Sequence, residues 1–196
     1  MEIITCKQNT PEWELARLGM LGGSEAQAIA ANGAGLKTLV NKLVAERLTG
    51  RAEKGYMNSD MERGHEMEDE ARNVYELETG NTATKVGYCK LDEFVGCSPD
   101  ALIGEDGGLE VKNFKDSTFV DYLFTGKVDT GYEWQCQYCM FVTGRKWWDY
   151  VVYNPNFKGR SLIIKRLDRD EIAIEKIKVG IETGKAMIKA MMEKLK

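Results

Sequence analysis

The sequence lacks any apolar run long enough to cross a lipid bilayer. Its hydrophobic stretches are far shorter than the roughly 18 consecutive apolar residues that a membrane-spanning helix needs. The N-terminal residues, MEIITCKQNT, also lack the basic-then-apolar order of a secretory signal. We therefore expect no membrane partner and a cytoplasmic location.

An excess of positive charge is absent as well. The chain carries 27 basic and 31 acidic residues, so its formal net charge is −4. This balance excludes a polybasic tail and a generally cationic coat for nucleic acid. Any contact with nucleic acid must therefore be local.

Histidine and cysteine, the usual ligands of zinc, are scarce. The chain has one histidine, His65, and five cysteines, an odd number that does not suggest a disulfide framework in a chain without an export signal. Cys136 and Cys139 form a C-x-x-C pair, but the pair lies within a predicted helix and far from His65. We interpret these two cysteines as small core residues rather than as ligands of zinc or of an iron–sulfur cluster.

The residues that are present predict helices first, then strands, then helices again, with no repeats. A length of 196 residues suits one domain, residues 1–196. The hydrophobic period changes from 3.6 to 2 after Gly80, which predicts an α/β or α+β fold with a central mixed sheet flanked by helices. The predicted helices begin at Thr10-Pro11 and span 24–31, 36–48, 60–78, 117–124, 132–142 and 169–196, with a loop at 51–59. The predicted strands span 83–90, 94–98, 109–113, 147–154 and 161–168.

One stretch places three charges outside the turn of an apparently buried hairpin: CSPDALIGEDGGLEVKN, Cys97 to Asn113. Side chains alternate along a strand, so Glu110 and Lys112 share one face. If GEDGG is the turn, Ile103 pairs with Leu109, and Asp100 falls opposite Lys112 on that same face. A solvated salt-bridge face is the simple alternative to a functional site.

Two further polar residues lie on the apolar side of predicted helices. In the helix 60–78, the apolar stripe comprises Gly64, Met67, Ala71, Val74 and Tyr75, and Glu68 lies inside it. A carboxylate that faces the core needs a partner. Gln135 lies in the stripe of the helix 132–142, although it could also be a surface amide.

We therefore expect Glu68, Asp100, Glu110, Lys112 and Gln135 to converge on one cavity. Three carboxylates without clustered histidine or cysteine suit a hard octahedral cation, Mg²⁺ with Mn²⁺ as a substitute, rather than zinc. Such a cation polarises a phosphoryl oxygen and activates water, and a neighbouring lysine can steady the water or the developing charge. The chemistry indicated is phosphodiester hydrolysis.

These residues carry a family resemblance. Asp100 followed by Glu110-Val111-Lys112 matches the signature of the PD-(D/E)XK nuclease superfamily. The longer string CSPDALIGEDGGLEVK resembles the phage lambda exonuclease family and the related YqaJ-like viral recombinases. RLGMLGGSEA, GHEMEDEAR and WQCQYCMFVTG occur in the order of that family, so the resemblance covers nearly the whole chain.

The resemblance implies a restriction-endonuclease-like core and a role for each site residue. Asp100 and Glu110 would bind the metal, Glu68 would complete the acidic site, Lys112 would act on the attacking water, and Gln135 would support it. Arg17, Ser24 and Ser98 would hold the phosphate at a DNA 5′ end. Where family members carry a further arginine shortly after the lysine, this chain reads NFKDST, and Lys115 is the nearby basic residue.

The resemblance also implies an activity and partners. It indicates a Mg²⁺-dependent exonuclease that degrades one strand of linear duplex DNA from its 5′ end and leaves 3′ single-stranded tails for phage-type recombination. Family members form a ring-shaped trimer, and enclosure of DNA would substitute for a broad cationic surface. A single-strand annealing protein is the expected partner, and the host cytoplasm is the expected location if a phage encodes the chain.

Several simpler interpretations remain open from the sequence. Arg17 could pair with Glu14, Ser24 could only cap a helix, and Trp147-Trp148 could be core residues or could stack on bases. Another nuclease on the same core, either a site-specific or a junction-resolving endonuclease, is the first rival function. A catalytically silent DNA-binding protein is the second.

Overall fold

The computed structural model describes residues 1–53 and 59–195, and the side chains of residues 59–66 are outside this description. The fold is a mixed α/β arrangement in which helices flank a central sheet. The strands are β1 (Glu2–Ile4), β2 (Ala83–Thr84), β3 (Tyr88–Lys90), β4 (Gly96–Cys97), β5 (Ala101–Ile103), β6 (Gly107–Asn113), β7 (Trp147–Tyr153) and β8 (Leu162–Asp168). The helices are α1 (Pro11–Arg17), α2 (Ala26–Ala31), α3 (Ala34–Thr49), α4 (Ser59–Thr79), α5 (Asp116–Thr125), α6 (Thr130–Thr143) and α7 (Glu171–Lys194), with a 3₁₀ turn at Gly23–Glu25 before α2.

The strands form two sheets rather than one. The central sheet has five strands in the order β2-β5-β6-β7-β8, and only the β6–β7 pair is parallel among these. A smaller antiparallel sheet has the order β1-β3-β4. The parallel pair needs a crossover, which α5 and α6 supply between β6 and β7. This crossover brings α6 back over the face of the sheet.

The predicted mixed sheet is therefore confirmed, but the predicted strand 83–90 is wrong. It divides into β2 and β3, which belong to different sheets. Gly87 lies at the division and touches the backbone of Cys6 so closely that a β-carbon there would overlap the Cys6 carbonyl oxygen. β1 was not predicted, because three residues are too few to show a period. Part of the predicted loop 51–59 lies outside the described residues.

The central sheet separates two apolar clusters. One side, built around Trp148, Tyr150 and Val152, packs against α6 and the other helices of the main core. The opposite side packs Leu109 and Val111 against Ala71 and Tyr75 of α4. Alternation along β6 thus sends its apolar residues toward α4, and it sends Glu110 and Lys112 toward α6.

The predicted register of the β5–β6 hairpin is wrong by two residues. Ile103 pairs with Gly107 rather than with Leu109, and Ala101 pairs with Leu109, because the turn is shorter than GEDGG. Continuation of this register places Asp100 opposite Glu110. A shift of two residues preserves the side of the sheet, so Asp100 remains on the face that carries Glu110 and Lys112.

Arg145 holds the turn of this hairpin. Its Nη1 donates to the carbonyl oxygens of Ile103, Gly104 and Gly107 at 3.1, 2.8 and 2.6 Å. Burial lowers the pKa of Arg145, although the group remains a cation because its ordinary pKa is so high. These bonds fix the turn of the hairpin. Asp100, Glu110 and Lys112 lie on the same hairpin, at the end away from the turn.

The cysteines of the C-x-x-C pair lie in the apolar core, as predicted. Cys136 and Cys139 are buried on α6 among apolar residues, as small core residues. None of the five cysteines, all of which lie among the described residues, is joined in a disulfide. In the described part of the chain, no helix combines the length and the apolar character required to span a bilayer.

The contact between α2 and α7 predicts a strong effect of one methyl group. A β-carbon at Gly180 would overlap the carbonyl oxygen of Ile29, whereas one at Gly184 would lie 3.3 Å from the side chain of Leu21. We expect Gly180→Ala to lower the free energy of unfolding by about 1–3 kcal/mol. Gly184→Ala is the matched control in the same helix, and its better helix propensity should leave stability unchanged or raised. Urea denaturation of both variants measures this, and equal stabilities would contradict the described packing.

Candidate active site

Glu110 and Lys112 form an ion pair on β6 in which the carboxylate is buried and the lysine is partly exposed. Glu110 is only 2% exposed, and Lys112 Nζ lies 2.5 Å from its Oε1. Burial lowers the pKa of Lys112, but the nearby carboxylates of Glu110 and Asp100 more than offset burial and leave that pKa raised. Because its carboxylate is buried, this pair is not the solvated salt-bridge face that was the simple alternative.

Gln135 reaches the same carboxylate from α6. Its Nε2 donates to Glu110 Oε1 at 2.7 Å, so Gln135 is not a free surface amide. The helix that carries it begins at Thr130 and is capped by Asp129, whose side chain accepts the N–H of Gly131 at 2.8 Å. The cap fixes where α6 starts, and the 3.6-residue period then places Gln135 above the sheet.

Asp100 lies beside this pair. Its Oδ2 accepts the backbone N–H of Val111 at 2.6 Å, which joins Asp100 to the strand between Glu110 and Lys112. Burial raises the pKa of Asp100 well above its ordinary value, and the charges of Glu110 and Glu68 raise it further. Lys112 and the Val111 N–H oppose this rise without cancelling it.

Glu68 comes from α4 on the other side of the sheet. The side chain is half-buried, and its charge acts on Asp100. Ala71 and Tyr75 of the predicted stripe are buried, and Val74 packs against them. Gly64, also predicted in the stripe, lies outside the residues whose packing is described. The structure thus brings the five expected residues to one region, with Glu68 at its edge.

The donor set of this region fits a hard divalent cation. Glu110 Oε2 is buried and accepts no hydrogen bond within the described structure, while Oε1 is already occupied by Lys112 and Gln135. An unsatisfied carboxylate oxygen beside a carboxyl of raised pKa is a site that a cation would relieve. Among the described side chains, those of residues 1–53 and 67–195, no three from His, Cys, Asp or Glu already stand in a metal-binding arrangement. Metal ligation by Glu68, Asp100 and Glu110 therefore stays a prediction.

Glu68→Gln tests this prediction because it keeps the shape and removes the charge. We expect the variant to lose about tenfold or more of its Mg²⁺-supported activity. Its melting temperature in EDTA should stay equal or rise, because the repulsion between Glu68 and Asp100 is relieved. Calorimetry with and without Mg²⁺ checks this. Normal turnover with a large drop in melting temperature would make Glu68 a structural residue.

Two tyrosines complete the surroundings of Lys112, and the sequence patterns did not reveal them. The Lys112 ammonium lies 4.8 Å from the centroid of the Tyr132 ring. Tyr132 in turn stacks on Tyr150, with ring centroids 5.8 Å apart. The parallel register places Tyr150 directly beside Glu110, and this pairing of distant strands has no local signal.

Arg17 and Ser98 belong to a second cluster, joined by Trp13. The Arg17 guanidinium lies over the Trp13 ring, 4.3 Å from its centroid. Trp13 Nε1 donates to Ser98 Oγ at 2.8 Å. Ser98 is two residues before Asp100, so this cluster connects directly to the carboxylates. The spacing of Trp13 and Arg17, one helical turn, was the only local signal for their contact.

Ser24 lies in the 3₁₀ turn and not at its cap, which is Gly22. The alternative in which Ser24 only caps a helix is therefore wrong, because the first turn and its cap lie two residues earlier than that alternative requires. The Ser24 hydroxyl donates to Glu25 Oε2 at 2.8 Å. Gly23, the preceding residue, touches the active site, since a β-carbon there would lie 3.6 Å from Gln135 Cγ.

The 3₁₀ turn also lies near the Arg17 cluster. Burial raises the pKa of Tyr88, and smaller effects come from the cation Arg17, which lowers it, and from Glu25, which raises it. Both charged groups therefore act on one buried hydroxyl. That Arg17, Ser24 and Ser98 together hold a phosphate stays a prediction.

Trp147 and Trp148, and then Lys115, are the remaining positions singled out from the sequence. Trp148 is fully buried, so base stacking by this residue is excluded. The Arg166 guanidinium lies over the Trp147 ring, with its carbon 3.6 Å from the ring centroid. Lys115 is the exposed residue that precedes α5. Whether Lys115 takes over the role of the arginine that family members carry after the lysine stays a question for experiment.

Comparisons with known proteins agree with this geometry. The model of the YqaJ-like viral recombinase domain matches residues 12–146. The crystal structure of an alkaline exonuclease, LHK-Exo, from Laribacter hongkongensis superimposes with a TM-score of 0.87 at 33% identity, over 95% of this chain and 96% of that chain. The same similarity holds for LHK-Exo in complex with dAMP. A search of curated proteins gave no match.

A more distant structure supports the fold alone. A phage-related exonuclease from Haemophilus somnus 129PT has a TM-score of 0.68 at 16% identity, over 90% of this chain and 96% of that chain. The family match and the likeness to LHK-Exo along almost the whole chain identify the enzyme class as a DNA exonuclease, a hydrolase. This chain belongs to the YqaJ-like viral recombinase family.

Proposed function

We propose that this enzyme is a Mg²⁺-dependent 5′-to-3′ exonuclease that acts on linear double-stranded DNA and leaves 3′ single-stranded overhangs for phage-type recombination. The observation that supports the proposal is the buried polar cluster of Asp100, Glu110, Lys112 and Gln135. The Arg17-Trp13-Ser98 cluster lies next to it along the chain, because Ser98 is two residues before Asp100.

The carboxylates supply the place for the cation. When bound, Mg²⁺ would polarise a phosphoryl oxygen and favour attack by water. Glu110 offers its unsatisfied Oε2, and Asp100 and Glu68 contribute the charge that a cation would neutralise. Lys112, held by Glu110 and by the Tyr132 ring, can donate a hydrogen bond to the water or to the phosphate. Gln135 keeps Glu110 oriented.

The polarity of digestion rests on the second cluster. A guanidinium binds phosphate oxygens in a two-pronged manner, and the glycines before Ser24 allow the backbone to approach an anion. Arg17 is half-buried and Ser24 exposed, and the turn that carries Ser24 touches Gln135. A terminal 5′ phosphate held there would present the first phosphodiester to the carboxylates. The dAMP bound in LHK-Exo is a deoxynucleoside monophosphate, which is the type of product that such cleavage releases.

We further propose a homotrimeric ring, a single-strand annealing protein as the partner, and the cytoplasm as the location, all by membership of the family. A ring would retain DNA by enclosure, which suits a chain with a net charge of −4. Mn²⁺ should substitute for Mg²⁺, because both prefer octahedral oxygen ligands.

A digestion assay with linear duplex labelled at one end or the other tests the function. With Mg²⁺, the 5′ label should appear at once as mononucleotide, whereas the 3′ label should remain in long single strands. EDTA should stop both reactions. Release of the 3′ label first would refute the proposed polarity.

Closed circular duplex separates the rival functions in the same assay. An exonuclease requires an end, so the circle should stay intact, whereas an endonuclease would linearise it. A catalytically silent binding protein would retain both substrates without turnover. Sedimentation of the protein alone measures the oligomer, and a monomer would exclude the ring.

A further inference from the structure

Gly19 forms the turn that ends α1, between the two parts of the candidate 5′-end pocket. It follows Arg17 by two residues and precedes Gly22 by three. Its φ of 65° lies in the left-handed region, which glycine adopts without strain. A β-carbon at this position would also lie 2.5 Å from Arg47 Cγ. The path of the chain from Arg17 to Ser24 therefore depends on the conformation of this residue.

Glu46 of α3 binds the N–H of Gly19. The carboxylate is 7% exposed, and its Oε2 accepts this N–H at 3.0 Å. Its other oxygen, Oε1, accepts the N–H of Glu53 at 3.2 Å, beyond the end of α3. A buried carboxylate is costly unless it is hydrogen-bonded, and each of its oxygens here receives a peptide N–H. Glu46 thus connects the Gly19 turn to the chain that follows α3.

Arg47, the next residue, binds the carbonyl of Gly19. Its Nε donates to the Gly19 oxygen at 2.8 Å, and its Nη2 donates to the Glu93 carbonyl at 2.8 Å. The guanidinium also lies 4.5 Å from the centroid of the Phe94 ring. Both polar groups of the Gly19 peptide backbone are therefore held by charged neighbours on α3. Such charge-assisted bonds are about twice as strong as neutral ones.

The chain after Gly19 is held separately, by bonds that centre on Leu21. Leu21 N donates to the Phe94 carbonyl at 2.7 Å, and the Leu21 carbonyl accepts the Tyr138 hydroxyl at 2.6 Å. These bonds fix the part of the loop next to Gln135. The orientation of Arg17 relative to that part depends on the Gly19 turn, and hence on Glu46 and Arg47.

We infer that Glu46 and Arg47 are positioning residues for recognition of the DNA 5′ phosphate. They lie on α3, and they act through the Gly19 peptide by fixing Arg17 relative to the Gly22–Ser24 turn. The inference rests on the proposed function and adds to it the residues that set the preference for a phosphorylated end. Neither residue was among the candidates from the sequence.

The test compares initiation on duplexes with a 5′-phosphate or a 5′-hydroxyl end. For Glu46→Ala, we expect the ratio of the two initiation rates to fall by about tenfold, since a misplaced arginine loses its charge-assisted bonds. The rate on hydroxyl ends should change less than about twofold, because the carboxylate site is untouched. Glu76→Ala is the matched control, since Glu76 Oε1 accepts the N–H of Ala83 at 2.7 Å, away from the pocket. The control should keep the wild-type ratio.

Arg47→Lys is the second variant, in case Glu46→Ala fails to fold. Lysine lacks the rigid planar fork with which Arg47 Nε and Nη2 each bind one carbonyl, so the ratio should fall in the same selective way. Equal losses on both ends, or an unchanged ratio, would overturn the inference while the exonuclease proposal stands. A wild type that degrades ends without preferring a 5′ phosphate would overturn the inference together with the proposed pocket. A wild type that does not digest from ends would overturn the proposed function itself.

Discussion

Asp100→Asn is expected to lower Mg²⁺-supported hydrolysis by about a hundredfold or more, while the affinity for DNA is retained. The amide keeps the shape of the side chain and can still accept the Val111 N–H, which Asp100 Oδ2 accepts at 2.6 Å. It removes the charge that would bind the cation and that repels phosphate. Glu110→Gln should behave alike. Single-turnover digestion and filter binding measure the two quantities.

The stability of Asp100→Asn separates a catalytic role from a structural one. The pKa of Asp100 is raised in the folded state, first by burial and then by Glu110 and Glu68, so the ionised carboxyl destabilises the fold above its unfolded pKa. At neutral pH in EDTA, the variant should therefore melt at the same temperature or higher. Mg²⁺ should raise the melting temperature of the wild type more than that of the variant.

Asp106→Asn is the matched control for this prediction. Asp106 lies in the turn of the same hairpin, where its carboxylate is half exposed and pairs with Lys146 at 3.0 Å. Exposed ion pairs contribute little, so the control should keep its activity and its stability. More than a few per cent of wild-type activity in Asp100→Asn would show that this carboxylate is not a metal ligand.

The sequence predicted the elements best where a local signal was strong. Thr10-Pro11 predicted the start of α1, and Thr10 caps it in the structure. Runs of alternating residues predicted β7 and β8 nearly to their ends. The division of 83–90 between two sheets could not be predicted, because it depends on the contact of Gly87 with Cys6, far away in the chain.

The candidate site shows the same limit. The motif around Asp100, Glu110 and Lys112 is local, and alternation put Glu110 and Lys112 on one face. The side of Asp100 depended on the assumed turn, and it was correct because the register is shifted by an even number of residues. The stripe argument placed Gln135 correctly over Glu110, because helical period is also local. The register was wrong, since the length of the turn depends on the bonds that Arg145 makes from outside the hairpin.

Residues that act through a tertiary contact had no signal in the sequence. Glu46 looks like one more acidic residue on a surface helix until its carboxylate is seen to be buried against Gly19. Tyr132 looks like a core aromatic until its ring is found over Lys112. Hydrogen bonds to backbone groups do not constrain residue type at the partner, so they leave no pattern to read.

Arg17→Ala should slow initiation on 5′-phosphorylated ends by about one to two orders of magnitude, because a charge-assisted hydrogen bond contributes roughly 1.5–3 kcal/mol. The guanidinium rests 4.3 Å from the Trp13 ring centroid, and Trp13 holds Ser98. This contact orders the arginine on Trp13, which in turn binds Ser98, two residues before Asp100. Arg17→Lys keeps the charge but not the two-pronged donor, so it should recover only part of the rate.

The decisive measurement is a double cycle of wild type and Arg17→Ala on phosphorylated and hydroxyl ends. On hydroxyl ends the wild type should already be slow. The substitution should lower that initiation rate little further, because Arg17 has no terminal phosphate to bind there. The coupling between the side chain and the end phosphate should then account for nearly the whole effect. If both ends lose the same factor, Arg17 contacts an internal phosphate or only supports Trp13, and the 5′-end pocket does not exist.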